Sequence, residues 1–96
     1  MTELRFDTSR RARHFDDGEV RFHAFDDDRL IVCAISEDTL ADLEGEHDTD
    51  DETVFRIFDA NSSYICSVAE QKFNDGKFES DGRVLVTYQD LMNYDD

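Results

Sequence analysis

The chain has 96 residues, of which 25 are acidic and 10 are basic, and its formal net charge at pH 7 is −15. This length fits one domain that folds without disulfides, and the charge disfavours direct contact with nucleic acid or with an anionic membrane. No apolar stretch approaches the roughly 18 residues that a membrane span needs, and the N-terminus lacks the apolar segment of a signal peptide. We therefore expect a single cytoplasmic domain over residues 1–96 that makes no membrane contact.

The first third of the chain is predicted to form strands. Residues 1–18 are predicted to be an edge strand at 4–7 followed by a loop. From Val20 onward apolar and polar side chains alternate, which is typical of a half-buried strand. Residues 30–35 are nearly all apolar, as in a strand that is covered on both faces. A turn at Asp26–Asp28 is predicted to join these two strands into an antiparallel hairpin.

Two helices are predicted to follow. Ser36 has the residue type of a helix N-cap, and the first helix is expected to run over about residues 37–44 and to end at Gly45. After a hydrophilic loop, Thr49 and Glu52 have the spacing of a capping box at the start of the second helix.

The second helix is predicted to be the centre of the fold. The stretch from Thr53 to Phe73 is expected to be continuously helical, because its apolar side chains fall within an arc of roughly 200° at helical spacing. An arc this wide indicates a helix that packs against more than one neighbour. Asn61–Ser63 is a weakly helical segment that would accommodate a bend.

The last third of the chain suggests a second hairpin. Asp81-Gly82 separates two β-like runs, 77–80 and 83–88, and this residue pair favours a tight turn. Residues 89–96 are predicted to be a polar C-terminal tail. The predicted fold class is α+β, a single small domain of order β-β-α-α-β-β in which antiparallel hairpins pack on a central amphipathic helix.

Apolar and turn residues spread over about residues 5–91 carry a likeness to a known family. They comprise the runs 15–26, 31–36, 58–60, 72–76 and 84–91, together with Leu40, Ile65, Val68 and Ala69. At these positions the chain resembles domain-of-unknown-function family 1488, a family of small bacterial proteins. The resemblance implies a small single-domain α+β fold in a soluble bacterial protein, and it implies no activity, cofactor or catalytic residue. The excess of Asp departs from the usual pattern of that family, so we attribute it to this protein or to its habitat.

The sequence offers no pattern typical of an enzyme. Cys33 and Cys66 lie in apolar runs and are interpreted as two buried thiols in a reducing cytoplasm; the alternative is one disulfide between them. Ser62 and Ser63 lack the glycines of a nucleophile elbow, and no glycine-rich phosphate loop is present. We predict no catalytic residue and no cofactor, and we favour a non-enzymatic protein.

A metal site in the acidic loop 46–52 is the alternative that the pattern does not favour. A calcium loop that starts at Asp48 would need Gly at its sixth position and Glu at its twelfth, where the chain has Thr53 and Asp59. The three histidines and two cysteines lack the paired spacing of zinc ligands. A solvated loop is favoured and no metal ligand is predicted, but a small enzyme or metal carrier that uses this loop stays open.

The candidate functional residues form a possible interaction surface with a protein partner or with a second copy of the chain. The apolar arc of the central helix is wide enough for part of it to be exposed, and charges placed at Phe55 or Phe73 should then disrupt an assembly. The chain has one basic island, which we expect to pair with nearby acids rather than with phosphate. The predicted surface comprises Phe55, Phe58, Phe73, Arg10, Arg11 and Arg13.

Two explanations of the charge stay open. Asp outnumbers Glu by 17 to 8 and Arg outnumbers Lys by 8 to 2, which favours adaptation to high salt, where screening removes self-repulsion. The alternative is an acidic mimic of DNA that occupies a nucleic-acid-binding protein. The acids are spread through every predicted element rather than placed along one, so we favour an interaction domain from a salt-adapted prokaryote.

Overall fold

The computed structural model describes residues 2–14, 16–46 and 50–94, and in them a four-stranded sheet packs against four helices. The α+β class and the single small domain are thereby confirmed. The strand order is β1-β2-β3-β4; the first three strands are antiparallel neighbours and β4 runs parallel to β3. The elements are β1 (Arg5–His14), β2 (Glu19–Asp26), β3 (Arg29–Ser36), α1 (Glu37–Glu44), α2 (Asp51–Ala60), α3 (Ser62–Asn74), β4 (Val84–Val86) and α4 (Tyr88–Asn93).

The predicted first hairpin is confirmed. β2 and β3 pair without a register shift from Glu19 opposite Ser36 to Asp26 opposite Arg29. The turn between them places Asp27 in the left-handed region, with φ 53°; Asp tolerates this region better than most residues.

The prediction of a strand at 4–7 followed by a loop is wrong, because β1 continues to His14. Its two ends pair with β2, and the register shifts between Asp7 and Ala12. The second half of β1 carries charged side chains that would be unfavourable beside a core. Carboxylates of α1 and α2 pair with two of these side chains, which allows the strand to lie against the helices.

The short helix α1 has the predicted bounds and caps. The Ser36 hydroxyl accepts the N–H of Thr39 at 3.1 Å, and Gly45 adopts the left-handed C-terminal conformation, with φ 63°. Asp50, and not Thr49, is the N-cap of α2, where its carboxylate accepts the N–H of Thr53 at 2.8 Å. Thr49 itself lies outside the described residues.

The predicted continuous helix from Thr53 to Phe73 is wrong at one residue. Asn61 ends α2 and begins α3, with φ −113° and ψ 10°. Its backbone N–H is shared between the carbonyls of Ile57 and Phe58, and its side-chain amide also donates to Ile57 at 2.8 Å. This local bonding competes with the helical ladder, as expected for Asn, and the break lies within the segment where a bend was predicted.

The predicted second hairpin is wrong. Residues 77–79 form no strand, although the turn is present and is closed by the N–H of Glu79 on the carbonyl of Arg83 at 2.8 Å, with Gly82 at φ 90°. The run after the turn pairs instead with β3, because Val84 and Val86 are completely buried on the inner face of the sheet.

A short helix replaces the predicted polar tail. Thr87 and Asp90 form a capping box at the start of α4. Leu91 is buried in the core, whereas Met92 is 53% exposed. The part of the chain that the structure describes contains no helix with the length and apolar character of a membrane span.

The core lies on one face of the sheet. Each of the four helices contributes buried apolar side chains to the same cluster as the inward-facing residues of β2, β3 and β4. The rings of Phe22 and Phe58 are 5.3 Å apart at its centre. The opposite face of the sheet, which we call the open face, therefore receives no core residue from any described helix. Its positions on the four strands include Arg5, Asp7, Ala12, His14, Glu19, Arg21, His23, Phe25, Leu30, Val32, Ala34, Ser36 and Leu85, with Arg83 just before β4.

Candidate interaction surface

The three aromatic residues predicted for the interaction surface occupy different environments. Phe58 is completely buried in the core and contributes no surface. Phe55 is half-buried, with the guanidinium of Arg11 above its ring at 4.7 Å. Phe73 is also half-buried and makes an edge contact with Phe78, which is itself exposed. The apolar arc of the helices therefore contributes mainly to the core and only partly to the surface.

Arg11 and Arg13 pair with carboxylates, as predicted for the basic island. Arg13 donates two hydrogen bonds to Glu37 at 2.7 and 2.9 Å and a third to Asp51 at 2.6 Å. Its bond to Glu37 outweighs the opposing effect of burial and raises the arginine pKa. Arg11 pairs with Asp59 at 2.7 Å. These ion pairs attach β1 to α1 and α2, so both arginines have a structural role, while Arg10 is exposed.

The open face concentrates apolar and cationic side chains. Leu30 is 49% exposed and Val32 is half-buried beside it on β3. Phe25 lies opposite Leu30 in the register, and the guanidinium of Arg5 covers its ring at 4.6 Å. A large exposed leucine next to arginines is the kind of surface that protein interfaces favour.

Glu19 organises two arginines at one end of this face. The residue is only 4% exposed, and its Oε1 accepts from Nε of Arg21 at 2.7 Å and from Nη1 of Arg83. Arg21 also donates to Asp17 at 2.6 Å, and Arg83 donates to Asp81 at 2.8 Å. One buried carboxylate thereby fixes the positions of two guanidinium groups that come from distant parts of the chain.

The same bonds affect the pKa of Arg83 and of Asp81. Burial lowers the pKa of Arg83, but the hydrogen bonds to Glu19 and Asp81 outweigh this effect and leave the pKa above its usual value. The backbone N–H of Arg83, at 3.1 Å, lowers the pKa of the Asp81 carboxyl. Both groups are therefore charged at neutral pH.

An open pocket of about 430 Å³ lies between β3 and the turn before β4. We call it the arginine pocket. Its charged lining has three arginines and one carboxylate, which is the reverse of the charge balance of the whole chain. Its lining includes Arg21, Arg29, Leu30, Val32, Asp81 and Arg83.

Acidic residues are frequent in α1 and α2, which pack on the core side of the sheet. Residues 37–59, which include α1 and α2, contain ten acidic residues and one basic residue, Arg56. Of the nine that the structure describes, five make ion pairs with arginines: Glu37, Glu44, Glu46, Asp51 and Asp59. The molecule therefore has an acidic helical side and a less acidic, arginine-bearing sheet side.

Neither cysteine has the surroundings of a reactive thiol. Burial raises the pKa of Cys33 to about 12 and that of Cys66 to about 11, and both cysteines are free. At pH 8 the thiolate fraction of Cys33 is then on the order of 10⁻⁴.

A metal centre is not formed by the described residues. Among residues 2–14, 16–46 and 50–94, no group of three or more His, Cys, Asp or Glu side chains could hold a metal ion. His47 and Asp48 of the acidic loop lie outside the described residues, so the prediction for that loop stays a prediction.

The arginines of the open face are not those of the predicted interaction surface, Arg10, Arg11 and Arg13, and a contact of those three with a partner stays a prediction. The alternation in β2 did place Arg21 and His23 on the face opposite the core, as observed. Nothing in the sequence indicated that Arg83 lies near Arg21, because this depends on the parallel pairing of β4 with β3.

Comparisons with known proteins identify a family and a solved structure of similar fold. Residues 4–86 match the model of a protein family described as "Protein of unknown function (DUF1488)". The chain is similar to a protein of unknown function from that family from Shewanella loihica PV-4, whose crystal structure was determined at 1.60 Å resolution. The TM-score is 0.83 at 21% identity, over 90% of this chain and 93% of that chain. A search of curated proteins found no match.

Proposed function

This chain belongs to the DUF1488 family of proteins of unknown function, and we propose that it is a non-enzymatic interaction domain that binds an acidic protein surface through its open face. The observation that carries the proposal is the concentration of arginine and apolar side chains on the open face of a chain with net charge −15. Complementary charge within the contact orients a partner, and high salt screens the long-range repulsion between the net charge of the chain and an acidic partner.

The composition of the face favours a protein partner. Leu30, Val32 and Phe25 offer apolar contact area, and Arg21 and Arg83 offer planar donors at the edge of it. Interfaces are enriched in aromatic residues and arginine relative to other surfaces. Nucleic acid is a weaker candidate because the field of the whole chain repels a polyanion.

The acidic side supports adaptation to salt more than mimicry of DNA. Five of the nine described acidic residues between 37 and 59 pair with arginines of the same chain, so their charge is partly neutralised inside the molecule. High salt would screen the remaining repulsion. Guanidinium groups are weakly hydrated and still form planar pairs with carboxylates. We therefore place the domain in the cytoplasm of a salt-adapted prokaryote.

Site-specific photo-crosslinking in cells of the species that makes this chain tests the proposal. One variant carries a photoreactive amino acid in place of Val32 on the open face, and a matched variant carries it in place of Asp38, which is exposed on α1. We expect the first variant to give one crosslinked protein with an acidic surface, and we expect the second variant not to give it.

Other outcomes would overturn the proposal in distinct ways. A crosslinked product with twice the mass of the chain would indicate a homodimer. Crosslinks to a DNA-binding protein from position 38 alone would indicate mimicry. No product from position 32 would remove the open face as an interaction surface.

A further inference from the structure

We propose that the arginine pocket is a carboxylate site, which takes an acidic side chain of the partner protein. This inference rests on the proposed function of the open face and deepens it by naming the group that is recognised. Three arginines from β2, the first position of β3 and the segment before β4 line the pocket, and the carboxylates of Asp17, Glu19 and Asp81 pair with two of them, Arg21 and Arg83.

Hydrogen bonds position two arginines of the pocket and leave some of their N–H groups without an acceptor among the described residues. Glu19, Asp17 and Asp81 accept from Nε and one terminal nitrogen of Arg21, and from the corresponding atoms of Arg83. In the part of the chain that the structure describes, no acceptor takes Nη1 of Arg21 or Nη2 of Arg83. These nitrogens can therefore donate to a ligand without breaking the bonds that position them.

Arg29 supplies a third guanidinium. It is exposed at the first position of β3, and no carboxylate among the described residues lies within salt-bridge distance of it. No described residue accepts a hydrogen bond from its guanidinium, and a guanidinium can hold a carboxylate through two parallel hydrogen bonds. The pocket thus combines two fixed donors with one complete, movable donor group.

The apolar part of the pocket distinguishes an acidic side chain from a bare anion. Leu30 and Val32 lie directly beside the arginines, so a ligand with aliphatic carbon next to its carboxylate fits both parts. A phosphate group carries about −1.5 to −2 charge at pH 7, and the net field of the chain opposes it more strongly than a single carboxylate.

The test is an NMR titration of the full chain at 0.15 M KCl that follows the arginine Nε–H and backbone amide signals. The probes are the peptides acetyl-Leu-Glu-Leu-amide and acetyl-Leu-Gln-Leu-amide, which differ only in the carboxylate, together with succinate and inorganic phosphate. We expect the Glu peptide to bind at least about tenfold more tightly than the Gln peptide. The shifts should concentrate at Arg21, Arg29, Val32 and Arg83.

Two variants with equal change of charge provide the control. Arg29→Gln removes an exposed, unbonded member of the pocket, so it should fold normally and should weaken the Glu peptide at least about tenfold. Arg10→Gln removes an exposed arginine of β1 that does not line the pocket, and it should change binding less than twofold.

The possible results separate this inference from the proposed function. Equal binding of the two peptides at the open face would overturn the carboxylate site and leave the interaction surface intact. Succinate or phosphate that binds as tightly as the Glu peptide would replace the protein partner with a free anion. Shifts spread over the whole surface, or equal losses in the two arginine variants, would overturn the pocket.

Discussion

At the scale of single residues, Glu19 determines the geometry of the arginine pocket. Its carboxylate is buried, and it is shared by Arg21 and Arg83, whose side chains are 24% and 20% exposed. Removal of a partner from a largely buried ion pair is unfavourable because the remaining charge stays desolvated.

We expect Glu19→Gln to lower the free energy of unfolding by about 2 kcal/mol, because two charge-assisted hydrogen bonds to one oxygen become weak or are lost. Urea unfolding at constant KCl measures the change. Asp17→Asn removes an exposed partner of the same Arg21 and should change stability by less than about 0.5 kcal/mol. Equal effects of the two substitutions would show that Glu19 has no special role.

At the scale of elements, the short helix α4 is attached to the fold by burial of Leu91 and by an ion pair of Asp90. Asp90 accepts the Thr87 N–H at 2.9 Å and the Nζ of Lys72 at 2.7 Å, which links α4 to α3. Burial raises the pKa of Asp90, but the bonds from Lys72 and Thr87 outweigh it, and the pKa lies below the ordinary value. A lowered pKa in the folded state means that the ionised carboxylate stabilises the fold.

We expect Asp90→Asn to destabilise the protein by about 1 kcal/mol at pH 7, since Asn keeps an acceptor for Thr87 but loses the charge that faces Lys72. The stabilisation by Asp90 is present above its ordinary pKa of about 4 and is lost as the pH falls through the lower folded value. The difference between variant and parent should therefore disappear at acid pH.

Urea unfolding of both proteins from pH 7 down to pH 3 checks this pH dependence. Asp42→Asn, at an exposed position of α1, is the control and should change the free energy of unfolding at pH 7 by less than about 0.5 kcal/mol. A constant difference for Asp90→Asn would contradict the ion pair with Lys72.

At the scale of the whole molecule, the net charge of −15 opposes compaction when salt is low. We expect the free energy of unfolding to rise by about 2 kcal/mol between 0.05 and 2 M KCl, because the Debye length falls to about 3 Å near 1 M. Urea midpoints followed by circular dichroism measure the rise.

A double variant, Asp38→Lys with Asp42→Lys, separates self-repulsion from a general salt effect. Both positions are exposed on α1, and the substitutions make the net charge less negative by four. The variant should be more stable than the parent at low salt and should gain less from added KCl. An equal gain in the two proteins would contradict self-repulsion as the cause.

Local patterns were sufficient where one segment decides its own structure. The alternation in β2, the N-cap at Ser36 and the left-handed Gly45 are each set by neighbouring residues, and each was predictable from the sequence. A bend, though not a break, was predicted within Asn61–Ser63, and the helix ends at Asn61, where the Asn side chain bonds to the preceding turn. The prediction of one continuous helix was wrong because apolar side chains keep helical spacing on both sides of Asn61. That spacing does not reveal the break, which local hydrogen bonding causes.

Features that depend on distant partners were missed. The length of β1 depends on carboxylates of α1 and α2 that pair with Arg11 and Arg13. The parallel position of β4 depends on the free edge of β3 and on burial of Val84 and Val86. One residue of the predicted interaction surface, Phe58, was misplaced, because its side chain is completely buried in the core.

The sequence by itself determined the fold class, the first hairpin, the caps of α1 and the overall field of the molecule, because these depend on composition and on residues close together in the chain. Only the tertiary structure decided which face of the sheet is open and which arginines meet there. Arg21 and Arg83 are 62 positions apart, and both donate to one buried carboxylate, Glu19, in a fold in which β4 pairs with β3. Short-range preferences cannot specify such a meeting, because its free energy arises from burial and ion pairing that exist only in the folded chain.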